Sequence, residues 1–222
     1  MGAGRMGQGL ALALGRTGAE VALLTRSSQP WGQVTRGVSL VLIATPDSAI
    51  GETAAALAAQ DAIGAEQVVL HLSGLLDRNA LASLAPTGAG LGSFHPLQTI
   101  SDPSTAPARL LGAYAGIEGD PRAVSEAESL AASLGMRPVR LTPELKPAYH
   151  AGAVFASNYV VALAGVAERL ARSAGVPEAD ALRLYLPLLR SAAANLDAGP
   201  VAALTGPIAR GDADTVVAHL AA

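Results

Sequence analysis

Three glycines, Gly2, Gly4 and Gly7, open the chain in the spacing G-x-G-x-x-G. A turn of this kind gathers backbone N–H groups and the positive end of a helix dipole at one point, with no Cβ to hold an anion away. Gln8 to Arg16 then reads as a helix, and Glu20 to Thr25 (EVALLT) as a short apolar strand. Turn, helix and strand in that order predict a pyrophosphate-binding unit, with Gly2, Gly4, Arg5, Met6 and Gly7 against the ligand. One part of the pattern is absent: only Met1 precedes Gly2, so the strand that such a turn normally follows is not in the sequence. Either that strand lies upstream or something else holds the turn.

The end of the next strand selects the dinucleotide. An NAD site places Asp or Glu there for the ribose 2′-hydroxyl. This chain has Thr25-Arg26-Ser27 instead. A guanidinium can pair with a 2′-phosphate and stack on adenine, and the two hydroxyls can donate to the same group, so NADP(H) is expected over NAD(H).

The pattern continues as alternating strands and helices. Strands are expected at Val38 to Ala44, Gln67 to Leu72, Gly90 to Phe94, Tyr114 to Ile117 and Arg137 to Leu141. Helices are expected from Asp47, as cap, through Gln60, around Asn79 to Leu84, and from Pro121 to Leu134, with a loop over Ser101 to Pro107. Strands alternating with helices imply an α/β fold, a doubly wound parallel Rossmann sheet. After Thr142 only helices are expected. The predicted organisation is a nucleotide-binding domain over 1–141 and an all-helical domain over 142–222.

Composition narrows the function classes. Half of the 222 residues are hydrophobic, only 3% are aromatic, and the net charge is −3, so the core is aliphatic and no basic surface advertises nucleic acid. The absence of cysteine excludes a disulfide scaffold, a thiol nucleophile and a thiolate zinc site. The histidine spacings offer no metal cluster, and no G-x-S-x-G elbow suggests a hydrolase. Residues 147–167 carry no charged side chain, which fits a membrane span in length. Tyr149, His150, Ser157, Asn158 and Tyr159 argue instead for a helix buried against another domain or a partner subunit. No leader is read at the N-terminus, and a cytoplasmic protein with no membrane partner is expected.

Of 15 basic side chains, 14 are arginine and one is lysine, Lys146. Arginine does not give up a proton near neutral pH, whereas a buried lysine can. His150 lies four residues on, so both project from one helical face. Ser157 and Asn158 follow two to three turns later. Ser73 and His95 each come at or just after the end of a strand, where a doubly wound sheet binds its ligands. His71 is expected to pack within its strand and His219 on the last helix. Arg210, in the turn-rich LTGPIARGD, could clamp a substrate carboxylate or pair with Asp212 or Asp214.

Taken together, GAGRMG, ATPD, HLSG, SFHPLQT, KPAYHAGAVFASNY and LTGPIARGD resemble a bacterial group of Rossmann-like proteins with a C-terminal helical domain of unknown function. The group sits in the 6-phosphogluconate dehydrogenase-like superfamily, near pyrroline-5-carboxylate reductase and ketopantoate reductase. The resemblance implies Lys146 as proton donor and His150 as a substrate-orienting residue, where relatives typically carry Asn. It implies Ala44, Thr45 and Pro46 among the cofactor contacts, and His95, Ser73 and Asn158 around the substrate. It also implies an NADPH-dependent reductase of a carbonyl or imine in a small acid such as ketopantoate, dimerising through the helical domain. A non-catalytic NADP-binding or assembly module is the alternative, and the His95-Pro96 pair keeps a prephenate-type dehydrogenase open.

Overall fold

In a computed structural model, residues 1–28 and 30–221 are described, and they divide into two compact units, 1–153 and 154–222. The division falls inside a helix, later than the boundary expected after Leu141. The reason is chemical: the first turns of that helix are tied to the sheet by Lys146 and Tyr149, as described below.

The first unit is built on five strands: β1 (Leu40–Ile43), β2 (Val68–His71), β3 (Gly90–Pro96), β4 (Tyr114–Gly119) and β5 (Arg137–Arg140). They lie side by side in chain order. β1, β2 and β3 are parallel, as are β4 and β5, but β3 and β4 are antiparallel, so the sheet is mixed rather than wholly parallel. Short apolar runs such as LVLI and VVLH form these strands because both faces are covered. One face packs Leu70, Phe94 and Ile117 against Leu10 of the helix Arg5–Arg16 and Leu130 of the helix Pro121–Ser133. The other packs Val41, Ile43, Val69 and Leu91 against Ile50 and Leu57 of the helix Asp47–Ala59 and against Leu81 and Leu84.

Two expectations change. Glu20 to Thr25 forms no strand. A strand exists by pairing, and a groove separates this segment from β1; only Met1 and Gly2 bridge it. Asp47 does not cap its helix: Pro46 is the N-cap, and the carboxylate of Asp47 is engaged elsewhere. The loop expected at 101–107 includes a 3-10 turn, Pro103–Thr105, and leads into the helix Ala106–Leu110.

The second unit is helical. Its main elements are Asn158–Ser173, Leu186–Asn195 and Ala213–Leu220, the last capped by Asp212, which accepts from the Thr215 amide at 3.2 Å. The stretch Pro143–Ser173 is long and apolar enough to cross a membrane by length and composition. The burial expected for it is not found within one chain: Phe155 is 66% exposed, Val161 73% and Leu163 65%.

Candidate functional site

The glycine turn is built as expected, and each glycine has a different reason. Gly2 has φ +105°, and a Cβ there would stand 2.6 Å from the Ala44 carbonyl oxygen. A Cβ on Gly7 would collide with the Gly2 carbonyl, so this glycine lets the helix close on the turn. At Gly4, the N-cap of the helix Arg5–Arg16, a Cβ would meet nothing within 4 Å. That opening is where a ligand can approach bare backbone.

A cavity of about 370 Å3 lies beside this turn, lined by Gly2, Ala3, Thr25, Arg26, Thr45 and Glu52, among others. Thr45 Oγ1 is buried without a hydrogen-bond partner. A hydroxyl at the wall of this cavity can bond to whatever occupies it, a ligand or water. Arg26 faces Glu52 at 3.5 Å, both exposed. Such a pair is worth little in water and leaves the guanidinium available. Thr25 Oγ1 and Ser27 Oγ share a hydrogen bond of 2.8 Å beside it. Of the other expected cofactor residues, Ala44 and Pro46 flank Thr45, and Arg5 and Met6 begin the helix.

A second cluster forms at the ends of β2, β3 and β4. The register sets His71 opposite Ser93, and Ser93 opposite Glu118, so three polar side chains share one face. Lys146 is fully buried over this row. Its ammonium donates to Ser93 Oγ at 2.8 Å and to the Ser73 carbonyl at 3.3 Å. Burial draws its pKa below the ordinary lysine range, while Glu118, Asp77 and Asp47 resist the change. Glu118 is itself raised by burial, and its carboxylate accepts from the Arg78 amide at 2.9 Å. Ser73 Oγ donates to Asp47 Oδ2 at 2.7 Å and accepts from the Leu75 and Leu76 amides.

Histidine 95 sits at the half-buried edge of the cluster. Its Nδ1 lies 3.0 Å from the Tyr149 hydroxyl, and its ring meets that of His150 edge-on at 6.1 Å. Burial raises the pKa of the Tyr149 phenol, so it stays a neutral hydroxyl beside His95. Two glycines make room: a Cβ on Gly116 would press on the Tyr149 hydroxyl at 2.7 Å, and one on Gly74 would stand 2.9 Å from both imidazoles. His71 is a structural histidine, as expected. Its Nδ1 accepts from the Ser73 amide at 3.2 Å and its Nε2–H donates to the Asp77 carbonyl at 3.0 Å.

The structure therefore brings together Lys146, His150, His95 and Ser73. It adds Glu118, Asp47 and Tyr149, which sequence reasoning did not assign to the site. Tyr149 was findable, being three residues from Lys146 on the same helical face. Glu118 lies one residue beyond the strand expected at Tyr114 to Ile117, and the observed strand runs on to Gly119 and includes it. Asn158 and Arg210 belong to the second unit, where Asn158 Oδ1 accepts from Ser157 Oγ at 2.9 Å and Arg210 is exposed. Among the described residues no group of three or more His, Asp or Glu side chains could hold a metal ion.

Burial pulls His71 and His95 down to about 4. Unfolded, each would titrate near 6.5, so the unfolded chain binds more protons between these values. Stability is then full above about pH 6.5 and is lost as pH falls toward 4, by on the order of 2 kcal/mol per histidine at pH 5. Glu118, shifted upward, works the other way but is one group against two. The urea midpoint is expected to drop between pH 7.5 and pH 5, and His71→Asn to flatten the curve. Equal midpoints at the two pH values would contradict the buried, neutral state of these rings.

Comparison with known proteins places this geometry. Residues 25–96 match the family model of a Rossmann-like domain, and residues 113–222 match a domain of unknown function, DUF2520. No curated protein sequence matches the chain. Among solved structures, a putative NADP oxidoreductase from Bacteroides fragilis aligns at 22% identity and a TM-score of 0.76, covering 99% of this chain and 87% of that one. Protein TM1727 from Thermotoga maritima aligns at 25% identity and 0.72, covering 98% and 86%. The 1-pyrroline-5-carboxylate reductase of Streptococcus pyogenes aligns at 17% and 0.62, covering 96% and 82%. Likeness at these identities speaks for the fold.

Proposed function

From a chain that carries a Rossmann-like domain followed by a DUF2520 domain, we propose an NADP(H)-dependent oxidoreductase that reduces the carbonyl or imine of a small acid. One observation carries the reading. Thr45 lines the nucleotide-sized cavity, and two residues on Asp47 holds Ser73, whose carbonyl takes the Lys146 ammonium. A cofactor cradle and a buried amine thus share adjoining loops of one unit.

The residues present fit NADP(H). The Gly2–Gly7 turn offers backbone amides for the pyrophosphate, the unpaired Thr45 hydroxyl offers a hydrogen bond, and Arg26 offers a partner for the 2′-phosphate. Bound there, the cofactor supplies a hydride equivalent. The chain supplies the proton and the orientation. The Lys146 ammonium, with its pKa lowered by burial, gives a proton to the oxygen or nitrogen that gains charge, and Ser93, which accepts a hydrogen bond from it, orients it. His95, fixed by Tyr149, and His150 orient the substrate.

The sequence resemblance suggests a small 2-oxo acid, and the pyrroline carboxylate reductase among the structural neighbours supports trying a cyclic imine as well. A 2-oxo acid such as ketopantoate, or a cyclic imino acid, is the class to test. The exposed apolar side chains of the second unit support a homodimer through that unit. NADPH is expected to bind at least about tenfold tighter than NADH, a gap that Arg26→Asp narrows. NADPH oxidation with 2-oxo acids and cyclic imines then tests turnover. Tighter NADH binding would refute the cofactor assignment. Binding without turnover of either class would favour a non-catalytic nucleotide-binding module.

A further inference from the structure

His95 has one ring nitrogen with a partner and one without. The register of β3 and β4 sets it opposite Gly116. The missing Cβ at Gly116 lets the Tyr149 hydroxyl reach in from the helix Lys146–Ala156. That hydroxyl stands 3.0 Å from His95 Nδ1, and the two rings meet edge to face at 86°. Gly74 leaves space along the same edge of the imidazole, where a Cβ would lie 2.9 Å from Nδ1 and Cε1. Among the described residues no group is hydrogen-bonded to Nε2.

One proton lies between the phenol and Nδ1, and elementary chemistry decides which atom owns it. Charge comes first. Burial, with His150 and Lys146 opposing a positive ring and Asp47 favouring one, draws the His95 pKa down to about 4, so the imidazole is neutral at neutral pH. A neutral imidazole carries one N–H and one lone pair, and the partner of one nitrogen sets the state of the other. Tyr149 keeps its proton, because burial raises the phenol's pKa. A phenol donates better than a neutral imidazole N–H, and an imidazole lone pair accepts better than a phenol oxygen. With the proton on Nδ1, the half-buried phenolic O–H would have no acceptor among the described residues, a cost that the other arrangement avoids.

On the reductase reading above, we propose that Tyr149 is a positioning residue whose hydroxyl donates to Nδ1 and holds His95 in the tautomer that carries its proton on Nε2. This gives His95 a direction that orientation alone does not. A neutral Nε2–H donates and does not accept. It suits an oxygen of the substrate, the carbonyl that gains charge or a carboxylate, and it cannot serve as the base that takes a proton from a hydroxyl. An uncharged donor also keeps its N–H as pH rises through the range where an ordinary histidinium loses its charge. Nor does it set a second cation beside the buried Lys146 ammonium.

The tautomer is read directly in the unliganded full chain. With isotope-labelled histidine, long-range proton–nitrogen NMR correlations show which ring nitrogen of each of the four histidines is protonated, and the His95 pattern is the one lost in His95→Gln. His71 is the internal reference, since the Ser73 amide donating to its Nδ1 fixes the proton on Nε2. Near neutral pH His95 is expected to show a protonated Nε2 and an unprotonated Nδ1. A proton on Nδ1 overturns the proposal, whether or not the chain turns over any substrate. Kinetics then ask whether Tyr149 acts through His95. Tyr149→Phe is expected to lower kcat roughly tenfold, about 1.4 kcal/mol, with NADPH affinity unchanged within about twofold. His95→Gln keeps an N–H donor but has no tautomer to fix, so adding Tyr149→Phe to it should change kcat by less than about twofold. A tenfold loss in both backgrounds would mean that Tyr149 does not work through His95 and would overturn its role. A chain that reduces no carbonyl or imine fails the reductase reading, and the NMR result still decides the tautomer.

Discussion

Replacing Lys146 with methionine is expected to lower kcat for carbonyl or imine reduction by on the order of 100- to 10,000-fold, the usual range for a positioned proton donor. The NADPH dissociation constant should stay within roughly twofold, because Lys146 does not line the nucleotide cavity. The substitution has a structural side. It removes a cation whose charge favours the ionised Glu118 and leaves that buried carboxylate with the Arg78 amide, which destabilises the fold. A loss of activity could then be a loss of fold. Pairing Lys146→Met with Glu118→Gln removes both charges, and this double variant is expected to recover the thermal midpoint but not kcat. Lys146→Arg separates proton from charge. Arginine keeps the positive charge but does not release a proton near neutral pH, so it should be nearly as inactive as methionine. An arginine variant that kept more than about a tenth of the parent kcat would show that Lys146 acts by charge alone. An unchanged kcat in the methionine variant would remove Lys146 from the chemistry.

The sequence made the amine visible and left its setting hidden, for a physical reason. A single lysine among arginines, four residues before a histidine, is a local pattern that can be counted along the chain. Its neighbours Ser93 and Glu118 come from strands far away in sequence, and only the register across β2, β3 and β4 aligns them under the ammonium. Asp47 reads as a helix cap because that signal is local, and it is not one. Its actual partner, Ser73, is 26 residues on. The same division explains the fold. LVLI and VVLH announce buried strands by composition alone, whereas EVALLT has the composition of a strand and is not one. Pairing is non-local, and the position beside it is filled only by Met1 and Gly2. The antiparallel joining of β3 to β4 is likewise a property of how the chain returns, not of either segment's residues.

Alanine in place of Gly4 and alanine in place of Gly7 should give opposite results, though both add one methyl group to the same turn. At Gly7 the new Cβ would overlap the Gly2 carbonyl oxygen, and backbone cannot swing away as a side chain can. The helix must shift or the turn must open, at a cost of about 3 kcal/mol. In a unit of this size that lowers Tm by roughly 10 °C. At Gly4 the backbone is extended, with φ −68° and ψ 174°, and the methyl would meet nothing within 4 Å. Stability should change by no more than about 0.5 kcal/mol. What the Gly4 methyl would fill is the open approach to the first amides of the helix Arg5–Arg16. An anion seated there depends on reaching bare backbone. Gly4→Ala is therefore expected to weaken NADPH binding by on the order of tenfold or more, about 1.4 kcal/mol, with the fold intact. The pair separates what holds the turn from what the turn holds. A Gly4→Ala protein that bound NADPH as the parent does would move the pyrophosphate off this turn. A Gly7→Ala protein as stable as the parent would mean that the helix does not close on Gly2.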